Sequence, residues 1–169
     1  MSDVITGFWT GLSPEARARL NVFLLSMLPI AELRGGIPVG LALKVLPWWD
    51  VFVTAIVGNM LPVVPFLCAL GPLTRFLERW EPARRSIEAV FARTQRKGGL
   101  IEKYEAVGLM LFVAVPLPMT GAWSGAIAAH IFGIRRRYAI PAITLGVIIA
   151  GVVVTLVCKG GLAFFRAFV

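Results

Sequence analysis

Two apolar stretches decide what this chain can become. Val51 to Leu70 and Tyr138 to Val157 each supply about 20 mostly apolar residues, the length that crosses a hydrocarbon core of about 30 Å as a single helix. The rest of the composition agrees. Of the 169 residues 58% are hydrophobic and 15% are charged, and the mean hydropathy is +0.82, whereas soluble domains carry about 25% charged residues. The chain is read as one integral membrane domain of 18.4 kDa, small enough that a transport path is expected to need a homo-oligomer.

Each span follows a pair of apolar stretches that are too short to cross. Behind an N-cap at Ser13, with Pro14 at the first helical position, a helix runs through Leu20 to Leu28 and is broken by Pro29, Glu32, Arg34, Gly35 and Gly36. Its purely apolar part covers about 12 residues, roughly 18 Å at 1.5 Å per residue. A second short run, Ile37 to Leu46, closes on Pro47 and the interfacial pair Trp48-Trp49. Two short helices meeting at a polar tip predict a re-entrant hairpin with its tip at 29–38. The span follows at 50–70, where Asn59, Pro62 and Pro65 predict a kink.

The second half has the same order. A short helix from about Leu100 to Val115 leads to a tip at 116–121, Pro116-Leu117-Pro118-Met119-Thr120-Gly121. A short run from Ala122 to Phe132, the cluster Arg135-Arg136-Arg137 and a span at 138–158 follow. Superposing Gly35 on Gly121 also pairs Leu46 with Phe132 and Trp49-Asp50 with Arg135-Arg136. The predicted fold is therefore an all-α polytopic membrane protein with two inverted-topology repeats, 14–71 and 100–160. Each repeat is a re-entrant helical hairpin followed by a transmembrane helix. Val4, Ile5, Phe8, Trp9 and Leu12 share one helical face and predict an interfacial helix over 1–12.

An amphipathic connector, 72–99, joins the repeats. It and its flanks hold Arg75, Arg79, Arg84, Arg85, Arg93, Arg96, Lys97 and Lys103, spaced among Leu73, Phe76, Leu77, Trp80, Ile87, Val90 and Phe91. If each hairpin returns to the side it left, these cations and the Arg135 to Arg137 triplet share one face, which the positive-inside tendency makes cytoplasmic. The chain carries 17 Lys+Arg against 9 Asp+Glu. Beside apolar segments this excess suits anionic lipid head groups rather than nucleic acid. Cys68 and Cys158 sit in apolar stretches and imply neither a disulfide nor a metal site.

Paired short segments broken by Gly and Pro point to a midplane binding site between two hairpins. Glu32 and Arg34 are opposite charges placed between apolar runs, and charge at membrane depth is costly and usually paired or functional. One reading gives Glu32 a proton-carrying role and Arg34 an anion-binding one; the other makes them a structural ion pair. Gly35, Gly36 and Gly121 permit positive φ and close backbone approach, while Pro38, Pro116 and Pro118 free carbonyls for a ligand. Thr120, Trp123 and Ser124 offer hydroxyls and an aromatic wall, and Asn59, within the first span, offers an amide. Ser124 is not expected to form a protease pair, because His130 lies six residues later and about 240° round the same helix. No cofactor fingerprint or catalytic constellation occurs, so no enzyme is expected.

The segments Glu32-Leu33-Arg34-Gly35-Gly36-Ile37-Pro38 and Val115-Pro116-Leu117-Pro118-Met119-Thr120-Gly121-Ala122-Trp123-Ser124-Gly125-Ala126 resemble the two signature segments of the small multidrug export protein family. That family is similar, distantly, to the DedA superfamily. The resemblance implies two inverted re-entrant hairpins, each with a following span, in the bacterial cytoplasmic membrane. It also implies a proton-coupled exporter of small amphipathic or cationic substrates, with a DedA-like polyprenyl phosphate flippase as the alternative and a membrane scaffold as the third reading. DedA-like proteins carry arginines near the second tip; here the nearest basic residues are Arg135 to Arg137.

Overall fold

The computed structural model describes residues 11–77, 105–116 and 120–168. Among them the chain is helical and has no strand: α1 (Pro14–Met27), α2 (Glu32–Leu43), α3 (Trp48–Leu77), α4 (Glu105–Ala114), α5 (Ala122–Ile131) and α6 (Arg136–Phe168). The helix expected over 1–12 and most of the connector fall outside the described residues. Positions 72–77, assigned above to the connector, continue α3.

Two segments are long and apolar enough to cross a membrane, Trp48–Thr74 with 27 residues and Arg136–Gly160 with 25. Only 33% and 39% of their most apolar windows is buried. Leu61, Val57, Leu145, Leu156 and Val157 face outward. The core helix of a soluble protein would be covered on most sides, so these exposed apolar faces fit lipid. Of the other helices, α1, α2 and α5 have 14, 12 and 10 residues, or about 15–21 Å, less than the hydrocarbon thickness.

The chain divides into two compact units, one made of residues 1–59 with 151–169 and the other of 60–150. In the first, α1 begins as Ser13-Pro14 predicts, with the Ala16 amide donating to Ser13 Oγ at 3.2 Å. It turns back through Leu28 to Ala31, and the Glu32 amide donates to the Leu28 carbonyl at 2.9 Å. α2 packs on α1 through glycines. A Cβ at Gly40 would fall 2.6 Å from Val22 and 2.5 Å from Val51, and one at Gly36 would collide with the Ser26 hydroxyl. Gly58 brings α3 against α1 so closely that a Cβ would lie 2.6 Å from the Phe23 carbonyl oxygen. The far end of α6 closes this unit, with Gly151 against the Phe52 ring and the Lys159 ammonium 4.6 Å from the Trp48 ring centroid.

The second unit packs in the same manner. Gly125 on α5 faces Val113 on α4, and a Cβ at Gly146 on α6 would lie 2.7 Å from the Met110 carbonyl oxygen. α5 ends at Gly133, whose φ of 69° suits glycine. Its amide donates to the His130 carbonyl at 3.1 Å and the Ile134 amide to that of Ala129 at 2.9 Å, a Schellman closure.

The first tip is tighter than the 29–38 expected. Gly35, Gly36 and Pro38 lie inside α2 rather than in a loop. Gly36 serves helix contact instead of positive φ, because the absence of a side chain lets α1 approach, while a Cβ at Gly35 would lie 2.8 Å from Ala31 Cβ one turn back. Pro38 loses a single donor, the one owed to the Arg34 carbonyl. α3 likewise runs as one helix through Pro62, Pro65 and Pro72.

Candidate functional site

The polar and charged residues that are buried among the described ones lie in the first unit. Among the described residues the buried polar or charged side chains are Ser26, Glu32, Asp50, Asn59 and Thr155. Each has a position that its sequence neighbours dictate. Ser26 lies in the last turn of α1, facing Gly36. Asn59 follows Gly58, the residue held against Phe23. Thr155 donates its hydroxyl to the Gly151 carbonyl one turn back, at 2.7 Å.

Glu32 opens α2 and is 8% exposed. Its φ is 45°, a left-handed backbone that costs a residue with a Cβ about 1–3 kcal/mol and tends to persist where surrounding structure demands it. Its place in the first turn of α2 puts the carboxylate where the exposed amides and helix dipole favour negative charge. Arg34 is half-buried two residues later. Gly36 is buried one turn beyond Glu32 on the face turned to α1, so Glu32, Gly36 and Ser26 belong to one stretch of the α1–α2 seam.

Asp50 anchors the foot of α3. Arg19 donates to its Oδ2 from Nε at 2.9 Å and Nη2 at 2.7 Å, and Thr54 donates its hydroxyl to Oδ1 at 3.3 Å. The Asp50 hydrogen bond first, and its charge second, raise the Arg19 pKa above the ordinary arginine range, with desolvation opposing.

The remaining candidate residues lie in the second unit or between its described parts. Pro116 is half-buried after α4, while Pro118 lies outside the described residues. Thr120 donates its hydroxyl to the Val115 carbonyl at 2.7 Å, across the tip. The Gly121 amide donates to Ser124 Oγ at 2.9 Å, and Ser124 returns its hydroxyl to the Gly121 carbonyl at 3.1 Å. Ser124 thus caps α5 with both of its hydrogen-bonding functions. Gly121 has an extended backbone, φ 169°, rather than the positive φ its freedom permits. Trp123 packs its ring 4.9 Å from that of Phe66. His130 Nε2 lies 3.2 Å from Thr74 Oγ1, whose hydroxyl also lies within hydrogen-bond distance of the Leu70 and Gly71 carbonyls. No group of three or more His, Cys, Asp or Glu that could hold a metal occurs among the described residues.

Residues 32–153, more than two thirds of the chain, match the family described as "Putative small multi-drug export protein". The chain belongs to this family. The match begins at Glu32, just after the first turn, and takes in the second tip, the whole of the first span and most of the second. Membership together with the two lipid-suited helices makes this multi-drug export family member a membrane protein, and the family name gives it a coarse exporter reading. No curated protein and no solved structure matches the chain.

Two features of this family member escaped the reading of its sequence. Ser26 carried a signal, as the single polar residue from Val22 to Leu28. The other is Arg136, which donates from Nη2 to the Cys68 carbonyl at 3.1 Å. Pro72 lies four residues after Cys68 and has no amide hydrogen to offer that carbonyl, so Arg136 supplies it. A proline and the carbonyl four residues before it are legible in any helix; which cation answers is not.

Proposed function

We propose that this protein is a small proton-coupled exporter, not an enzyme, in which Glu32 carries the proton and Arg34 compensates or binds charge. The observation that carries the reading is Glu32 itself, a carboxylate-bearing residue buried at the start of a broken helix and held at a left-handed φ. Burial favours the neutral acid and the helix N-terminus favours the carboxylate, so the two protonation states are opposed by separate features that a conformational change could shift. The short helices α1, α2 and α5 support the reading of two re-entrant hairpins of inverted topology. The basic connector supports a cytoplasmic placement beside anionic lipid in a bacterial inner membrane. A homo-oligomer remains part of the proposal.

The test is flux in proteoliposomes with an internal pH dye, offering cationic drugs and then a fluorescent polyprenyl phosphate. Proton movement that requires both a drug and Glu32, and that Glu32→Gln abolishes, is the expected result. Lipid movement indifferent to Glu32 would replace this reading with the DedA-like flippase, and the absence of any flux with a scaffold.

A further inference from the structure

Ser26 and Asn59 share an unusual property. Both are completely inaccessible, and neither the Ser26 hydroxyl nor either amide atom of Asn59 has a hydrogen-bond partner among the described residues. Nearly all buried polar atoms in native proteins bond to protein or to ordered water.

Both residues lie within about a turn of one contact between α1 and α3 in the first unit. Gly58, the residue before Asn59, is set against the backbone of Phe23, where a Cβ would meet the carbonyl oxygen at 2.6 Å and Cα at 3.1 Å. Ser26 follows Phe23 by three residues, about one helical turn. On its other side Ser26 occupies the space that a Cβ of Gly36 would need, and Gly36 lies one turn beyond Glu32. A further acceptor belongs to the group. Pro62 has no amide hydrogen for the carbonyl four residues earlier, so the Gly58 oxygen lacks its helical donor.

The chemistry of this group selects its occupant. It offers three acceptors, Ser26 Oγ, Asn59 Oδ1 and the Gly58 carbonyl, and donors from the Ser26 hydroxyl and the Asn59 amide. A bare cation or an ammonium group would answer the acceptors and leave the Asn59 NH2 unserved. Water both donates and accepts, and it is small enough for an interior where helices meet through glycines.

We propose that Ser26, Asn59 and the Gly58 carbonyl hold ordered water inside the first unit, and that this water is the route by which protons reach Glu32. The second half rests on the proton-carrying reading of Glu32. A water that hands its proton to the Glu32 carboxylate makes the neutral acid and takes another proton from the water behind it, so one charge moves and no water is consumed. Ser26 and Asn59 are positioning residues in this step.

The chain has two asparagines, Asn21 and Asn59, so asparagine-selective 15N labelling of the full-length protein in lipid nanodiscs yields two side-chain amide signals. Asn59→Leu identifies one of them. In water-edited solid-state NMR the Asn59 amide should receive water magnetisation, Ser26→Ala should slow that transfer and Ser26→Thr should restore it. An Asn59 amide that receives none overturns the proposal, even if Glu32→Gln abolishes flux. The proton route is read separately, from the deuterium exchange rate of the Glu32 carboxyl by difference infrared spectroscopy. Asn59→Leu should slow it about tenfold or more and Asn59→Ser should recover part of the rate. An unchanged rate in Asn59→Leu overturns the route. If Glu32→Gln leaves proton-coupled flux intact while the amide is wet, the exporter reading falls and the water site stands.

Discussion

The two units use the same packing device and fill their interiors differently. Each sets a glycine of a long helix against the backbone of a short one, Gly58 on Phe23 in the first and Gly146 on Met110 in the second. The second unit then buries only apolar side chains among its described residues, with Val113, Ala122, Ala126, Ile143 and Val147 at its centre. The first buries Ser26, Glu32, Asp50, Asn59 and Thr155 beside its apolar core. In lipid the hydrophobic effect does not drive helices together, so close glycine contacts must supply attraction in both units. Buried polarity adds nothing to that task and usually costs stability. The difference separates what holds a unit together from what it is for.

Substitutions can break or sharpen this contrast. The largest effect is expected at Glu32: Glu32→Gln should lower proton-coupled flux about a hundredfold in proteoliposomes, within the range that a positioned proton carrier contributes. Ser124→Ala, which removes only a helix cap, should cost about 1 kcal/mol of stability and leave flux largely intact. Equal flux losses at both positions would erase the distinction between the units. Next comes Ala126→Asn, which places in the second unit the polarity that the first tolerates. It should destabilise by about 2 kcal/mol in detergent unfolding, whereas Asn59→Leu should cost less than about 1 kcal/mol, because it removes an amide whose hydrogen bonds go to water and not to other side chains.

Gly58→Ala and Gly146→Ala should each cost about 1–3 kcal/mol and resemble one another, since both force a Cβ onto a carbonyl oxygen. A cost at one site alone would show that the device is not shared. Arg136→Leu should cost about 1 kcal/mol by leaving the Cys68 carbonyl without its donor, read in the same unfolding assay. Arg19→Gln should have the smallest effect, because the Arg19 side chain is half exposed, its charge is screened by salt and the glutamine amide can still donate to Asp50. Its raised pKa means that the arginine's share of the pairing is present at every lower pH and lost only as pH rises through that raised value. Titration between about pH 5 and 9 should therefore leave Arg19 charged.

The architecture was legible wherever length and hydropathy decide. Both spans, the capped start at Ser13 and the short helices on either side of each tip follow from how many apolar residues occur between breakers. The extent of the first tip was not legible. Gly35, Gly36 and Pro38 are breakers by propensity, and the packing of Gly36 on α1 is a tertiary contact that propensity does not show. Site legibility divided in the same way. Glu32 and Asn59 announce themselves as polar residues in apolar surroundings. Ser26 does so more quietly, since a serine hydroxyl in a helix commonly bonds back to its own backbone and needs no partner elsewhere. Ser124 and Thr120 suggest ligand chemistry by residue type, and in the structure each also makes a local hydrogen bond at its turn. The sequence places hydroxyls near a tip; their bonds to Val115 and Gly121 depend on turn geometry that residue types alone do not specify.

The first unit is discontinuous along the chain, made of residues 1–59 and 151–169 with the whole of the second unit between. During synthesis its opening hairpin therefore emerges long before the helix end that completes it. At about 5–20 residues per second the wait lasts about 5–20 s. Through that interval the Trp48 and Phe52 faces lack Lys159 and Gly151, so the nascent hairpin must be sheltered by the insertion machinery or by lipid. A stop codon near residue 150 would remove the last helical turns and, with them, the closure of the part of the protein made first.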